Sequence, residues 1–199
     1  QFIPSLLPCS GVVWIDEPTY NEHRPAWEAA GHQVITGDAN LANAQSAVIV
    51  APNNPTGKFA PDTIMTTAKQ TAATGGIMLI DGAFAMPAAV DPTVGDLLAA
   101  LAAFPHVLHV RSFGKFFGMA GLRLGFAIGS PDHIDQLQQR VGPWAVSSVA
   151  LDIGSAALND TAWQAQHGQF LRQQTEQLQM VLTRANLKIL GGTTLFQTI

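Results

Sequence analysis

The sequence predicts an α/β fold: a mostly parallel sheet flanked by helices on both faces, with the start of a small C-terminal domain. Two observations carry this expectation. Short β-branched apolar runs recur between residues 12 and 128, and most are followed by a stretch of helical spacing. Such β-α-β-α alternation needs crossover helices, which cover both faces of a parallel sheet. Beyond Pro131 the pattern changes: helical stretches dominate, and strand-like runs return only after residue 186.

Taken in order, Val12-Val-Trp-Ile15 reads as a strand, followed by a helix through Trp27 to Ala30 that stops at Gly31. Val34-Ile35 reads as a second strand. Ala47-Val-Ile-Val50 is apolar without interruption, as in a strand buried on both faces, and ends in Pro52-Asn-Asn-Pro-Thr-Gly57. A helix is expected over 62–74, with Gly75-Gly76 as its stop. Ile77-Met-Leu-Ile80 is a strand ending on Asp81, and a helix is expected over 94–103. Val107-Leu-His-Val110 leads into a glycine-rich loop, and residues 124–128 lead out of it. Helices are expected over 132–140, 147–159 and 161–185. The glutamine-rich part of the last, 164–179, reads as a solvated or domain-bridging face. Residues 187–190 and 195–199 are expected to be strands of a second unit.

Composition narrows the function classes. The chain has 199 residues, is 47% hydrophobic and only 12% charged. That dry composition suits an α/β enzyme core or a chain that buries surface against a partner. The net charge is −4 with no basic run, which argues against nucleic acid. No apolar stretch reaches the length of a membrane span, and the N-terminal residues lack the basic start of a signal peptide. The single cysteine, Cys9, excludes an internal disulfide framework and reads as a non-catalytic residue; a reducing, cytoplasmic compartment is the natural reading, and a single cysteine is also compatible with export. The histidines are scattered without a metal-like set, and His106 and His109 read as structural.

The most informative run is His109-Val-Arg-Ser-Phe-Gly-Lys-Phe-Phe-Gly-Met-Ala-Gly-Leu-Arg-Leu-Gly-Phe126. It places Lys115 in a small-residue loop straight after a strand, amid the apolar bulk of Phe113, Phe116 and Phe117. A lysine in apolar surroundings tends to lose its proton, and a neutral amine attacks carbonyls to form a Schiff base. Ser112 and Arg123 suit an anionic group such as a phosphate. In open parallel sheets ligands gather beyond the C-terminal ends of strands. Asn54, Asp81 and Lys115 each follow a strand, so one sheet edge delivers all three. Asp81 can pair with a protonated ring nitrogen, and Asn54 can donate to a phenolate-type oxygen. Together they match the needs of pyridoxal phosphate. Seen singly, each residue has a blander reading: Lys115 as a surface loop residue, Asp81 and Asn54 as turn residues. A nucleotide phosphate loop is ruled out, because His109 and Phe116 stand where that motif needs a glycine and a hydroxyl.

Asn54-Pro-Thr-Gly57, Asp81-Gly-Ala-Phe84 and Ser112-Phe-Gly-Lys115 through Arg123 resemble, in this order, the fold-type-I aminotransferase family. The lysine run most resembles its threonine-phosphate decarboxylase branch, from cobalamin biosynthesis; histidinol-phosphate aminotransferases are close relatives. The resemblance implies that Lys115 is the catalytic lysine that binds pyridoxal 5'-phosphate. It implies Asp81 as partner of the ring nitrogen, Asn54 at the ring oxygen, Ser112 and Arg123 at the phosphate, and Tyr20 stacked on the ring. No metal is implied. It further implies a homodimer acting on a small phosphorylated amino acid. Residues 1–160 then form a cofactor-binding large domain lacking its N-terminal part. Residues 161–199 form a long connecting helix and the start of a truncated small domain. Two departures stand out. Phe84 replaces a tyrosine and cannot donate a hydrogen bond, and Gly82 replaces a glutamate.

The reaction this implies is decarboxylation of L-threonine O-3-phosphate to aminopropanol phosphate, with Lys115 as a proton shuttle. The alternatives are transamination of the histidinol-phosphate type, and an inactive truncated domain that binds no cofactor.

Overall fold

The computed structural model describes residues 2–7 and 10–199; Cys9 lies outside them. Its main sheet has strands β1 (Val12–Ile15), β2 (Gln33–Ile35), β3 (Ser46–Val50), β4 (Met78–Asp81), β5 (Val107–Ser112) and β6 (Gly125–Ile128). Their order is β2-β1-β3-β4-β5-β6. All neighbours are parallel except β5 and β6, which run antiparallel. The reversal follows from the connection. Between β5 and β6 there is only a 3-10 turn at Ala120–Leu122 and no crossover helix, so the chain folds straight back.

The helices are α1 (His23–Ala29), α2 (Pro61–Ala72), α3 (Pro92–Leu101), α4 (Pro131–Val141), α5 (Ser148–Asn159) and α6 (Thr161–Arg184). Their starts are written in the sequence. Proline sits in the first turn of α2, α3 and α4, where its missing N–H costs nothing. Side chains of Asp91, Ser130, Ser147 and Asp160 cap α3, α4, α5 and α6 by accepting from backbone N–H groups.

Alternation along the strands builds a core on each face. On one face Trp14, Ala47, Ile49, Met78, Ile80 and Val107 pack with Ile64 and Ala68 of α2 and Leu97 and Leu101 of α3. On the other, Val13, Ile15, Val48, Leu79 and Leu108 pack with Trp27 of α1, and Ile134 and Leu137 of α4 lean on them. β3 is buried along its whole length, as its uninterrupted apolar run requires.

One element differs from expectation. Residues 187–190 are not a strand. A small antiparallel hairpin, β7 (Gly191–Thr193) and β8 (Phe196–Thr198), begins only at the glycine pair. The chain leaving α6 is first occupied in ending the helix: Asn186 takes a left-handed φ of 56° and the Leu187 N–H bonds back to the Leu182 carbonyl. Only Leu190 reaches across, donating to the Thr198 carbonyl at 2.8 Å.

His109 is buried on the α2–α3 face, and its Nδ1 has no hydrogen-bond partner among the described residues. Burial, and then the neighbouring Arg111 guanidinium, push this imidazole down to about 4, while Asp81 pulls the other way. The unfolded chain therefore binds a proton near pH 6.5 that the folded chain refuses until about pH 4. The stability tied to neutral His109 is full above pH 6.5 and is lost as pH falls through that window. The expected loss in urea-unfolding free energy is on the order of 3 kcal/mol. His109→Gln should remove most of that slope, and an unchanged slope in the variant would defeat this account.

Candidate functional site

The site residues stand on loops that leave the C-terminal edge of the sheet at one level. Val50 pairs with Asp81, and Asp81 with Val110, across three parallel strands. The pairing runs one residue further: Ala51 N–H donates to the Asp81 carbonyl and Gly82 N–H to the Val110 carbonyl, each at 2.9 Å.

Beyond β5, Ser112, Lys115 and Arg123 line one cavity of about 350 Å3 with Gly114, Ala120 and Gly125. Ser112 Oγ accepts from the Gly114 N–H at 3.0 Å, so its own hydroxyl hydrogen remains to donate outward. Arg123 stands in the left-handed region at φ 51°, its guanidinium tied by one bond to the Ala120 carbonyl. An amine, a guanidinium and a hydroxyl around one cavity make a donor set suited to a phosphate.

Asp81 heads a second cluster. Its Oδ2 lies 3.0 Å from His23 Nε2, with both side chains about 15% exposed. Its Oδ1 accepts from the Ala83 N–H at 2.9 Å. The carboxylate is thus fixed in orientation at both oxygens, each with a lone-pair direction still open. The Tyr20 ring meets His23 edge-on at 5.7 Å and is itself exposed, leaving a face for a flat ligand. Phe84 joins the two clusters: Lys115 Nζ lies over its ring, 5.0 Å from the centroid.

Asn54 arrives by a third loop. Its neighbour Asn53 is buried and does the holding. Asn53 Oδ1 accepts from Thr56 N–H and Oγ1, and Nδ2 donates to Thr19 Oγ1 at 3.3 Å. That last bond ties the Asn54 loop to the Tyr20 loop. The β7–β8 hairpin closes over the Asn54 loop and the Asp81 loop. Thr198 Oγ1 donates to the Pro55 carbonyl, and Phe196 packs edge-on to Phe84 at 5.0 Å.

One sequence expectation is corrected. Lys115 is exposed, not enclosed in apolar bulk; Phe113 and Phe116 are 2% exposed each and turn inward instead. In the tight turn closed by Gly118 N–H on the Lys115 carbonyl, the phenylalanines claim the core and the ammonium keeps its hydration. His23 was missed by sequence reasoning. Its signal was the spacing Tyr20-x-x-His23 at the start of α1, which sets the Tyr20 ring against the imidazole that meets Asp81. The Gly82 departure also acquires a cause: a Cβ there would run into His109 Nε2.

Comparison with known proteins shows the family to which the chain is similar. The family model for aminotransferase class I and II matches residues 4–196. The threonine-phosphate decarboxylase of Pseudomonas aeruginosa is 36% identical over 95% of the chain and 57% of its own length. That of a Sinorhizobium species is 36% identical over 98% and 58%. Histidinol-phosphate aminotransferase 1 of Cupriavidus pinatubonensis is 31% identical over 81% and 43%. The chain thus spans under three fifths of the length of the curated relatives it matches. Among solved structures, the histidinol-phosphate aminotransferase of Clostridium acetobutylicum superposes with a TM-score of 0.78 at 18% identity, over 91% of this chain and 57% of that one. That of Sinorhizobium meliloti, in complex with pyridoxal-5'-phosphate, gives 0.74 at 20%, over 97% and 56%.

The contact between hairpin and Asn54 loop yields a test. Gly57 has φ 73°, and a Cβ on it would collide with the Gly192 backbone; Gly31 has φ 88° and open space around it. Gly31→Ala should cost about 1–2 kcal/mol, the strain of a left-handed residue. Gly57→Ala should cost at least about 1 kcal/mol more. Equal costs in urea denaturation would mean that the hairpin does not rest on this loop.

Proposed function

The chain belongs to the class I and II aminotransferases, a family of pyridoxal 5'-phosphate enzymes, and on that footing we propose that its parent enzyme decarboxylates L-threonine O-3-phosphate to aminopropanol phosphate. The observation that carries the choice of reaction is the similarity to two threonine-phosphate decarboxylases over nearly the whole chain. The residues present fit the cofactor. Ser112 and Arg123 would hold its phosphate at the cavity they share with Lys115. Asp81, held by His23 and the Ala83 N–H, would hold the proton on its ring nitrogen. Tyr20 would cover one ring face, and Asn54 would donate to the ring oxygen, a bond that Phe84 cannot make. When bound, the cofactor supplies an electron sink for the bond broken at the substrate's α-carbon.

The protein's own part is to orient and to move one proton. Carbon dioxide leaves, and a proton takes its place on the same carbon, so the reaction needs no oxidant and no second substrate. Lys115, at the cavity it shares with Ser112 and Arg123, would hold the cofactor through Nζ and would deliver that proton. The Asp81 carboxylate would keep the ring nitrogen protonated through its charge, while His23 and the Ala83 N–H hold the carboxylate in orientation.

Transamination of the histidinol-phosphate type is the second reading. The Cupriavidus relative favours it. It uses the same residues of this chain and differs in the bond broken at the α-carbon.

Purified parent enzyme loaded with pyridoxal 5'-phosphate should release CO2 from L-threonine O-3-phosphate, and Lys115→Ala should lower that rate by at least about a hundredfold. Glutamate formed from 2-oxoglutarate and histidinol phosphate, without CO2 release, would replace the decarboxylase reading with the aminotransferase one.

A further inference from the structure

Lys115 stands in a loop whose sequence gives it little stiffness. Gly114, Gly118 and Gly121 surround it, Gly118 with φ 67°, and glycine leaves the backbone more freedom than any other residue. Main-chain bonds close the turn at Gly118 N–H to the Lys115 carbonyl and Met119 N–H to the Phe113 carbonyl, both 3.0 Å, and tie its ends at Phe113 N–H to the Leu124 carbonyl and Leu122 N–H to the Met119 carbonyl. What holds the loop is the pair of residues that follow the lysine. Phe116, 2% exposed, meets two rings of α6: Trp163 at 5.9 Å and His167 at 5.2 Å, both edge-on. Phe117 lies between Phe113, at 5.1 Å, and Trp163, stacked at 6.0 Å and 13°. Trp163 and His167, one helical turn apart, stack on each other at 4.6 Å and 14°. The rings form one continuous column from the lysine loop to the helix.

The helix end of that column is itself anchored. Asp160 caps α6 by accepting from the Trp163 N–H at 2.9 Å. Gln164, 3% exposed, donates to the Ala157 and Leu158 carbonyls at the end of α5. Gly168 lies so close to Val90 that a Cβ would strike it. The stretch 160–168 is therefore a fixed platform, and the phenylalanines are pressed against it.

We infer that Trp163 and His167 are positioning residues for Lys115, acting through Phe116 and Phe117. This rests on the reading of Lys115 as the cofactor lysine. Neither lines the cavity that Ser112, Lys115 and Arg123 share. Their effect is to take from a glycine-rich loop the freedom that would let Nζ wander from the cavity shared with Ser112 and Arg123. Removing the His167 ring leaves one side of Phe116 without its partner and one face of Trp163 bare. The loop amides should then open more often, while the sheet and the remaining helices keep their stability.

The test uses the full chain and two readouts. The first needs no cofactor: amide hydrogen exchange at Gly118 and Met119 should be about tenfold faster in His167→Ala than in the wild type, with strand amides such as those of Val48 and Leu79 unchanged. The second is trapping. With pyridoxal 5'-phosphate and borohydride, labelling of Lys115 should slow by a similar factor, and visible circular dichroism of the bound chromophore should weaken. His167→Phe, which restores a ring in the column, should recover both. Unchanged exchange and trapping in His167→Ala would overturn the inference. So would uniform acceleration of all amides, which would mark His167 as a general packing residue. If the wild-type chain is not labelled at Lys115, the cofactor reading of this chain fails. The positioning of the loop by α6 is then decided by exchange alone: local acceleration upholds it, and none overturns it.

Discussion

Val50, Asp81 and Val110 stand side by side on three adjacent parallel strands, and the loops that carry Asn54, Asp81 and Lys115 leave from that row. The constraint is register. A slip by one residue between β3 and β4, or between β4 and β5, would turn the whole strand over and send its apolar side chains to the wrong core. The two cores on opposite faces of the sheet therefore fix the level at which the Asn54, Asp81 and Lys115 loops emerge. In β1 to β5 the charged side chains are Asp81 and Arg111, and both stand at or near C-terminal strand ends. Elsewhere a charge would have to be buried in a sheet covered on both faces, at a cost no partner there offsets.

From that row outward, the scaffolding is done by neighbours of the candidate residues rather than by the candidates themselves. Asn53 holds the loop that presents Asn54, and through Thr19 it also holds the loop that presents Tyr20. His23 and the Ala83 N–H fix Asp81. Phe113 and Phe116 sink into the core so that Lys115 does not. This division has a physical reason. A group that must bind a ligand needs open donors or lone pairs, so the bonds that order its loop must be made by others. Two adjacent asparagines, one buried and bonded and the next half-buried outside those loop bonds, show the division within a single turn.

The sheet was legible because its signal is redundant. Each strand is a β-branched run closed by a turn residue, and each of β3, β4 and β5 was placed to within a residue or two of its observed ends. The chemistry-bearing residues were legible because lysine, arginine, aspartate and asparagine are conspicuous among glycines and apolar residues. Residues 187–190 misled because a short, largely apolar stretch such as Leu-Lys-Ile-Leu reads equally well as a strand or as the exit from a helix, and the left-handed Asn186 decides for the latter. The exposure of Lys115 was hidden for a different reason. Sequence gives the company a side chain keeps along the chain, but in a tight turn successive residues point apart. His23 and the pairing of Gly82 with His109 depend on contacts between residues far apart in sequence, which no local pattern records.

That last pairing shows how β5 shapes the loop after Asp81 from beneath. His109 and Arg111 are two residues apart and so project to the same face of the strand. His109 fills the space a side chain at position 82 would need, which forces glycine there. Arg111 reaches the same loop further on and donates from one guanidinium nitrogen to the Ala85 and Met86 carbonyls, at 2.8 and 3.0 Å. The two cannot both be charged at such close quarters without cost, and burial resolves the conflict in favour of the guanidinium, leaving the imidazole neutral. Held at Gly82 and at 85–86, the loop has little choice about Phe84, which projects between them toward Lys115 and the hairpin. The phenylalanine at this position is therefore more than a lost hydroxyl. Its ring faces the lysine ammonium and packs edge-on with Phe196, a contact that links the lysine, the Asp81 loop and the hairpin.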